Sequence, residues 1–127
     1  MEREAALPRE FLQTYQNAET IFSLNMPGKE MYIVYSGKVN LYNRSPSGGS
    51  EFLKTIEAGD FFGEMALVDD SPRSATAVAA EENTQLLVLD KNKFMYLLRN
   101  QPDFALVIMG KLCWLLRNAT TPHSGWS

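Results

Sequence analysis

The sequence predicts a mainly β domain flanked by helices. Three observations carry that prediction. Between Thr20 and Leu89, apolar residues recur at alternate positions and are rich in β-branched and aromatic types. Turn-forming stretches, "SPSGGS" at 45–50 and "EEN" at 81–83, break that run into hairpin-sized pieces. After Leu89 the apolar spacing lengthens to steps of three and four, which is the period of a helix.

The elements follow in order. Leu7 to Tyr15 reads as a short helix, with Pro8 suited to its first turn and Phe11, Leu12 and Tyr15 on one side. "TIFSL" (20–24), "MYIVYSG" (31–37), "KVNLYNR" (38–44) and "EFLKTI" (51–56) read as strands, as do "SATAVAA" (74–80) and "TQLLVLD" (84–90). Asp90 is placed to cap a helix starting at Lys91, and Pro102 ends it, because a residue before proline avoids helical angles. A second helix is expected from Pro102 to about Arg117. Residues 1–120 make one domain, and 121–127 are expected to be a disordered tail.

That last helix is apolar on most of its circumference. Phe104, Ile108, Leu112 and Leu115 form a stripe, while Met109, Cys113, Trp114 and Leu116 cover much of the rest. Lys111 and Arg117 are the residues expected to seek solvent. A helix apolar on most sides needs cover on most sides. The strand body covers one side, and the same helix of a second chain is expected to cover the other, giving a homodimer; the alternative is that the N-terminal helix covers it within one chain.

The chain has 127 residues, enough for one domain with a core of its own. Its charge of −3 disfavours broad binding to nucleic acid or anionic lipid, which attract through excess Lys and Arg. Cys113 is the sole cysteine, so no internal disulfide forms and a reducing, cytoplasmic setting is expected. "MEREAALPRE" lacks the pattern of a secretory signal, and "FALVIMGKLCWLL" is too short and too interrupted to span a bilayer.

The stretch "FFGEMALVDDSPRSATAVA" (61–79) concentrates the chemistry. Gly63 has no side chain, so a ligand can approach its backbone closely. "GEMALV" favours one or two helical turns, whose first amides are unpaired and favour an anion. Arg73 follows nine positions after Glu64, beyond the turn signal "DDSP", and its guanidinium suits a phosphate. Glu64 would repel that anion unless the ligand also presents a hydroxyl, since an ionised carboxylate only accepts hydrogen bonds. Phosphate and hydroxyl together describe a ribonucleotide. The alternative is a structural ion pair between Glu64 and Arg73, and spacing alone leaves both readings open.

Phe62-Gly63-Glu64-Met65-Ala66-Leu67, then Pro72-Arg73-Ser74-Ala75-Thr76 with Val78, resembles the phosphate-binding cassette of cyclic nucleotide-binding domains. That family includes bacterial catabolite activators, regulatory subunits of cAMP-dependent protein kinase and cyclic nucleotide-gated channels. "MPGKEMYIVYSGKVNLY" is similar to the family's second block, with Gly28 and Gly37 at its turns, and "IEAGDFFGE" to the approach to the cassette. The departures are Asn17-Ala18, where the family often has Pro-Gly, and Leu24, where an acid is common; a retained turn is expected at Asn17.

The resemblance implies a double-stranded β-helix, or jelly roll, with an N-terminal helix and two C-terminal helices. It implies a signalling domain, like that of a transcriptional regulator, that binds cAMP, with cGMP as the alternative, and needs no cofactor. The backbone near Gly63 and Met65 would meet the cyclic phosphate, Arg73 would neutralise it, and Ser74 would reach it through amide and hydroxyl. Glu64 would accept from the ribose 2′-hydroxyl. Ala66 and Ala75 complete the cassette side of the site, and Leu41, Leu53 and Ile56 would contact sugar and base. Residues Arg117 to Thr121 would cap the base. Ser74 stands between the threonine that often accompanies cGMP preference and the alanine that accompanies cAMP.

Other classes fit less well. A metal enzyme of similar shape needs clustered histidines, and the chain has only His123, in the polar tail. Cys113 lacks a His partner and reads as packing. Asp69 and Asp70 read as a solvated loop. "NATTPHSGWS" is too short for a helix-turn-helix, so direct DNA binding is not expected and the effector is an unknown protein. The rival from another class is an interaction or dimerisation module of the same fold that binds no nucleotide.

Overall fold

The computed structural model describes residues 9–118, without the side chains of Leu112, Leu115 and Leu116. Leu7, Pro8 and the expected tail lie outside the described residues. A 3-10 turn at Arg9–Phe11 leads into eight strands. These are β1 (Leu12–Tyr15), β2 (Thr20–Phe22), β3 (Met31–Ser36), β4 (Lys38–Arg44), β5 (Ser50–Glu57), β6 (Phe61–Phe62), β7 (Thr76–Ala79) and β8 (Thr84–Leu89). Helices α1 (Lys91–Asn100) and α2 (Pro102–Arg117) close the order, and a second 3-10 turn, Glu64–Leu67, follows β6.

The strands form two antiparallel sheets, in the orders β1-β8-β3-β6 and β2-β7-β4-β5. Both contribute to one core. Tyr32, Val34, Phe62, Leu86 and Val88 come from the first sheet, and Val39, Leu41, Ile56 and Ala77 from the second. This is the jelly-roll arrangement of two sheets facing across shared side chains. The first sheet is also covered on its far side. Leu87 and Leu89 alternate with Leu86 and Val88 along β8, so they face the other way, onto Leu97 of α1 with Phe11, Met31 and Phe61. Phe61 and Phe62 are neighbours in sequence and point into different cores. Phe104 and Ile108 of α2 pack against the outer one.

Two expectations about elements are corrected. Leu12–Tyr15 is a strand paired with β8, Leu12 opposite Leu87 and Tyr15 opposite Thr84, and the part of the expected N-terminal helix that falls on the described residues before it is the 3-10 turn Arg9–Phe11. Four residues are too few for helical propensity to compete with an open edge, and β8 would otherwise present an unpaired apolar edge. The turn after β1 is retained, but Ala18, not Asn17, takes the left-handed conformation, with φ 73°. Its amide donates to Ala79 O at 2.8 Å, and the Asn17 amide donates to Glu82 Oε1 at 3.0 Å. Tertiary bonds on both residues fix which one turns.

The helical boundaries match the sequence. Asp90 accepts at Oδ1 from the Lys93 amide at 2.8 Å, the expected N-cap. Among the described residues, no helix is long and apolar enough to cross a membrane.

Lys111 departs from expectation. Its side chain is only 17% exposed and its Nζ sits 2.8 Å from Asp60 Oδ1, 3.9 Å above the ring of Phe61, while donating to the Phe61 carbonyl. A long amphipathic side chain can lie along apolar surface when its head finds a carboxylate at the far end. Cys113 is likewise exposed, not packed, because it lies on the outward side of α2. Leu106, Val107, Met109 and Trp114 of the same helix are exposed too, by 67%, 55%, 57% and 60%.

Candidate functional site

The site is built around Arg73. The segment "SPR" brings it back toward the turn that starts at Gly63, and the loop after β2 holds it there. The Arg73 amide donates to Met26 O and the Asn25 amide donates to Arg73 O, each at 2.8 Å. The main chain is thus clamped from both polar sides before the side chain is considered. The guanidinium then runs inward. Arg73 is 7% exposed, the lone charged residue among the buried side chains of the described chain. Its Cζ lies 4.1 Å from the ring centroid of Phe22 and 5.6 Å from that of Tyr32. Nη1 donates to Gly63 O at 3.4 Å, a long bond. Among the described residues, nothing accepts a hydrogen bond from Nε.

Two glycines make room for this head group. A Cβ on Gly28 would lie 2.2 Å from Nε and 2.4 Å from Cζ of Arg73. A Cβ on Gly63 would lie 3.0 Å from Nη1, and Gly63 holds φ 77°, a conformation that side chains disfavour. The 3-10 turn begins there. Its first bond runs from Ala66 N to Gly63 O, at 3.3 Å, so amides ahead of Ala66 lie outside the turn's own bonding.

A cleft of about 530 Å³ opens beside the guanidinium. Gly63, Met65, Ala66, Arg73, Ser74 and Ala75 line it from the cassette, and Leu41 from β4. Phe22, Phe62, Ser71 and Pro72 complete the wall. Glu64 is half-buried, with Oε1 enclosed, between two lining residues of the chain. Leu53 and Ile56 do not line the cleft. Leu53 is 47% exposed, and Ile56 is buried in the core with Leu41. Three positions apart on one strand, they point to opposite faces, so one β5 surface cannot present both. Arg117 and Asn118 are exposed at the end of α2, and residues 119–121 of the expected base cap lie outside the described residues.

Aromatic rings lie against the arginine head group. Burial, then the Glu30 carboxylate, push the Tyr32 phenol up to about 12, against an opposing pull from Arg73. Tyr32 stacks on Phe62 at 5.2 Å, and Phe22 packs on both rings at 5.6 and 5.9 Å. An aromatic cluster therefore underlies the cation. Sequence reasoning missed Phe22, although its place in the alternating "TIFSL" run was the available signal.

The wall is mostly apolar, with one buried cation, two serines and a bare turn. That combination can hold a small organic anion with an apolar portion. Asp69 and Asp70 are exposed loop residues, and Asp70 pairs with Lys29 at 3.6 Å at the surface. Among the described residues, no group of His, Cys, Asp and Glu is arranged to hold a metal ion; His123 lies outside them.

Comparison with known proteins places these features. The sequence model described as "Cyclic nucleotide-binding domain" matches residues 12–101. The cyclic AMP receptor protein of Thermus thermophilus is 37% identical over 105 residues, which are 83% of this chain and 48% of that protein. A cAMP-dependent protein kinase regulatory subunit of Colletotrichum orbiculare is 37% identical over 86 residues, 68% of this chain and 21% of that one. Among solved structures, the catabolite activator protein of Thermus thermophilus superposes with a TM-score of 0.71 at 32% identity, over 94% of this chain and 60% of that chain. The chain spans about half or less of the length of these curated relatives.

Proposed function

The chain belongs to the cyclic nucleotide-binding domain family, and on that premise we propose that it binds cAMP in the cleft beside Arg73 and acts as a sensor, not a catalyst. The observation that carries this reading is the burial of Arg73 next to an open cleft, with Nε donating to nothing among the described residues. A desolvated cation with unused donors is unfavourable until an anion arrives. A cyclic phosphodiester supplies one negative charge and acceptor oxygens, and its ribose and base suit the apolar wall of Leu41, Met65 and Ala66.

The roles follow the chain. Arg73 takes the phosphate charge, the backbone from Gly63 to Met65 and the Ser74 amide and hydroxyl meet its oxygens, and Glu64 accepts from the 2′-hydroxyl. Ala66 and Ala75 leave space for the sugar. Preference for cAMP over cGMP is supported by the name of the bacterial relative and is compatible with Ser74. The domain works in the cytoplasm and passes its occupancy to another protein through α1 and α2.

The test is calorimetric titration of the purified chain with cAMP, cGMP and a cyclic dinucleotide. Saturable binding of cAMP at micromolar concentration or below, tighter than cGMP, is expected. No binding of any of them would leave the rival, a module of the same fold for protein contacts. One observation favours that rival as an added role: the exposed apolar side of α2, with Leu106, Val107, Met109 and Trp114. We assign that side to a homodimer.

A further inference from the structure

We propose that Phe22 and Gly28, both outside the cassette, are positioning residues that set the guanidinium of Arg73 for the ligand; this rests on the cyclic nucleotide reading. Phe22 ends β2, and the loop after it reaches Gly28 before β3 begins. That single segment does three things to Arg73. Its Asn25 and Met26 bond the arginine main chain. Its Phe22 ring lies beneath the cation at 4.1 Å. Its Gly28 leaves the slot in which Nε, Cζ and Nη2 sit, all within 2.5 Å of where a Cβ would be.

The choice of an aromatic support has a physical reason. An aromatic face attracts a guanidinium through its quadrupole, and the attraction grows when water is excluded. It holds the cation without neutralising it and without occupying any N–H donor. The full charge and the in-plane donors stay available to the incoming phosphate. The bond to Gly63 O is long, at 3.4 Å, and Nε has no acceptor among the described residues, so the ring face carries a share of the orientation. Phe22 is itself braced by Tyr32 and Phe62, which keeps the platform rigid. Preorganisation of this kind removes an ordering cost that would otherwise oppose binding.

The test is a double-mutant cycle on cAMP affinity, read by calorimetry, with folding checked by thermal melts. Phe22→Leu keeps an apolar side chain and removes the ring; it is expected to weaken binding about tenfold. Phe22→Tyr restores the ring face and is expected to recover most of that loss. In an Arg73→Met background, the further effect of Phe22→Leu is expected to vanish, because the two side chains act as a unit. Gly28→Ala displaces the head group and is expected to weaken binding while leaving the fold cooperative. The proposal is overturned if Phe22→Leu binds as wild type does. It is overturned equally if Phe22→Leu costs the same factor with and without Arg73, which would make Phe22 a direct ligand contact. Absence of cAMP binding by the wild-type chain would remove the parent reading and this one together, whereas normal wild-type binding with a silent Phe22→Leu removes only this one.

Discussion

Lys111 and Asp60 form an ion pair of 2.8 Å that ties the middle of α2 to the residue just before β6. The same lysine covers Phe61, whose neighbour Phe62 lines the cleft. The last helix is therefore anchored a few residues from the phosphate cassette. Burial pushes the Asp60 carboxyl up, but the Lys111 bond, the Phe61 amide and the nearby charges of Lys111 and Lys54 outweigh it, and the net shift is below the ordinary 3.8. A carboxyl depressed on folding stabilises the folded state above its unfolded value, and that stability is lost as pH falls through the folded value. Acid melts should thus show wild type losing stability below about pH 4 more steeply than Asp60→Asn. The carboxylate is half-exposed, so solvent screening holds the effect to about 0–1 kcal/mol. Identical acid profiles for the two proteins would remove this account of the pair.

Arg73→Ala takes the counter-charge from a buried phosphate. A loss of about 2–5 kcal/mol in cAMP binding is expected, by analogy with truncation of one partner of a buried charge pair. Calorimetry on the mutant checks it, and near-unchanged affinity would exclude Arg73 as the phosphate ligand.

The ribose contact can be tested without mutation. A 2′-deoxy cyclic nucleotide leaves Glu64 facing a ligand without its donor, at a penalty of about 1–3 kcal/mol. Competition binding against cAMP measures the difference. Equal affinity of the two nucleotides would return Glu64 to the ion-pair reading.

Met109→Glu places a charge on the exposed apolar side of α2, where Met109 is 57% exposed in the single chain. If a second copy covers that side, sedimentation should show a dimer for wild type and a monomer for the mutant. A wild-type monomer at tens of micromolar would refute the homodimer.

Leu97 is fully buried where α1 meets the outer core. Leu97→Ala should destabilise the domain by about 2–5 kcal/mol through lost burial and a residual cavity. Urea unfolding measures it. A change under 1 kcal/mol would mean that α1 is not part of the cooperative unit.

The strand and helix pattern from Thr20 onward was legible in the sequence, apart from the two-residue strand β6, and so was the cassette motif from Phe62 to Val78. Those signals are local: alternation, a capping aspartate, turn residues and a contiguous motif that travels with its own backbone geometry. The sequence did not determine the fate of Leu12–Tyr15, whose four residues became a strand only because β8 offered an edge. It misplaced Lys111, whose partners stand fifty residues away. Nor did it separate Leu41, which reaches the cleft, from Leu53, which does not. The seating of Arg73 on Phe22 and against Gly28 was decided by the tertiary structure alone. Contacts between distant segments arise only when the chain closes, since a residue's own neighbours in sequence carry no record of which far side chain will lie beneath it.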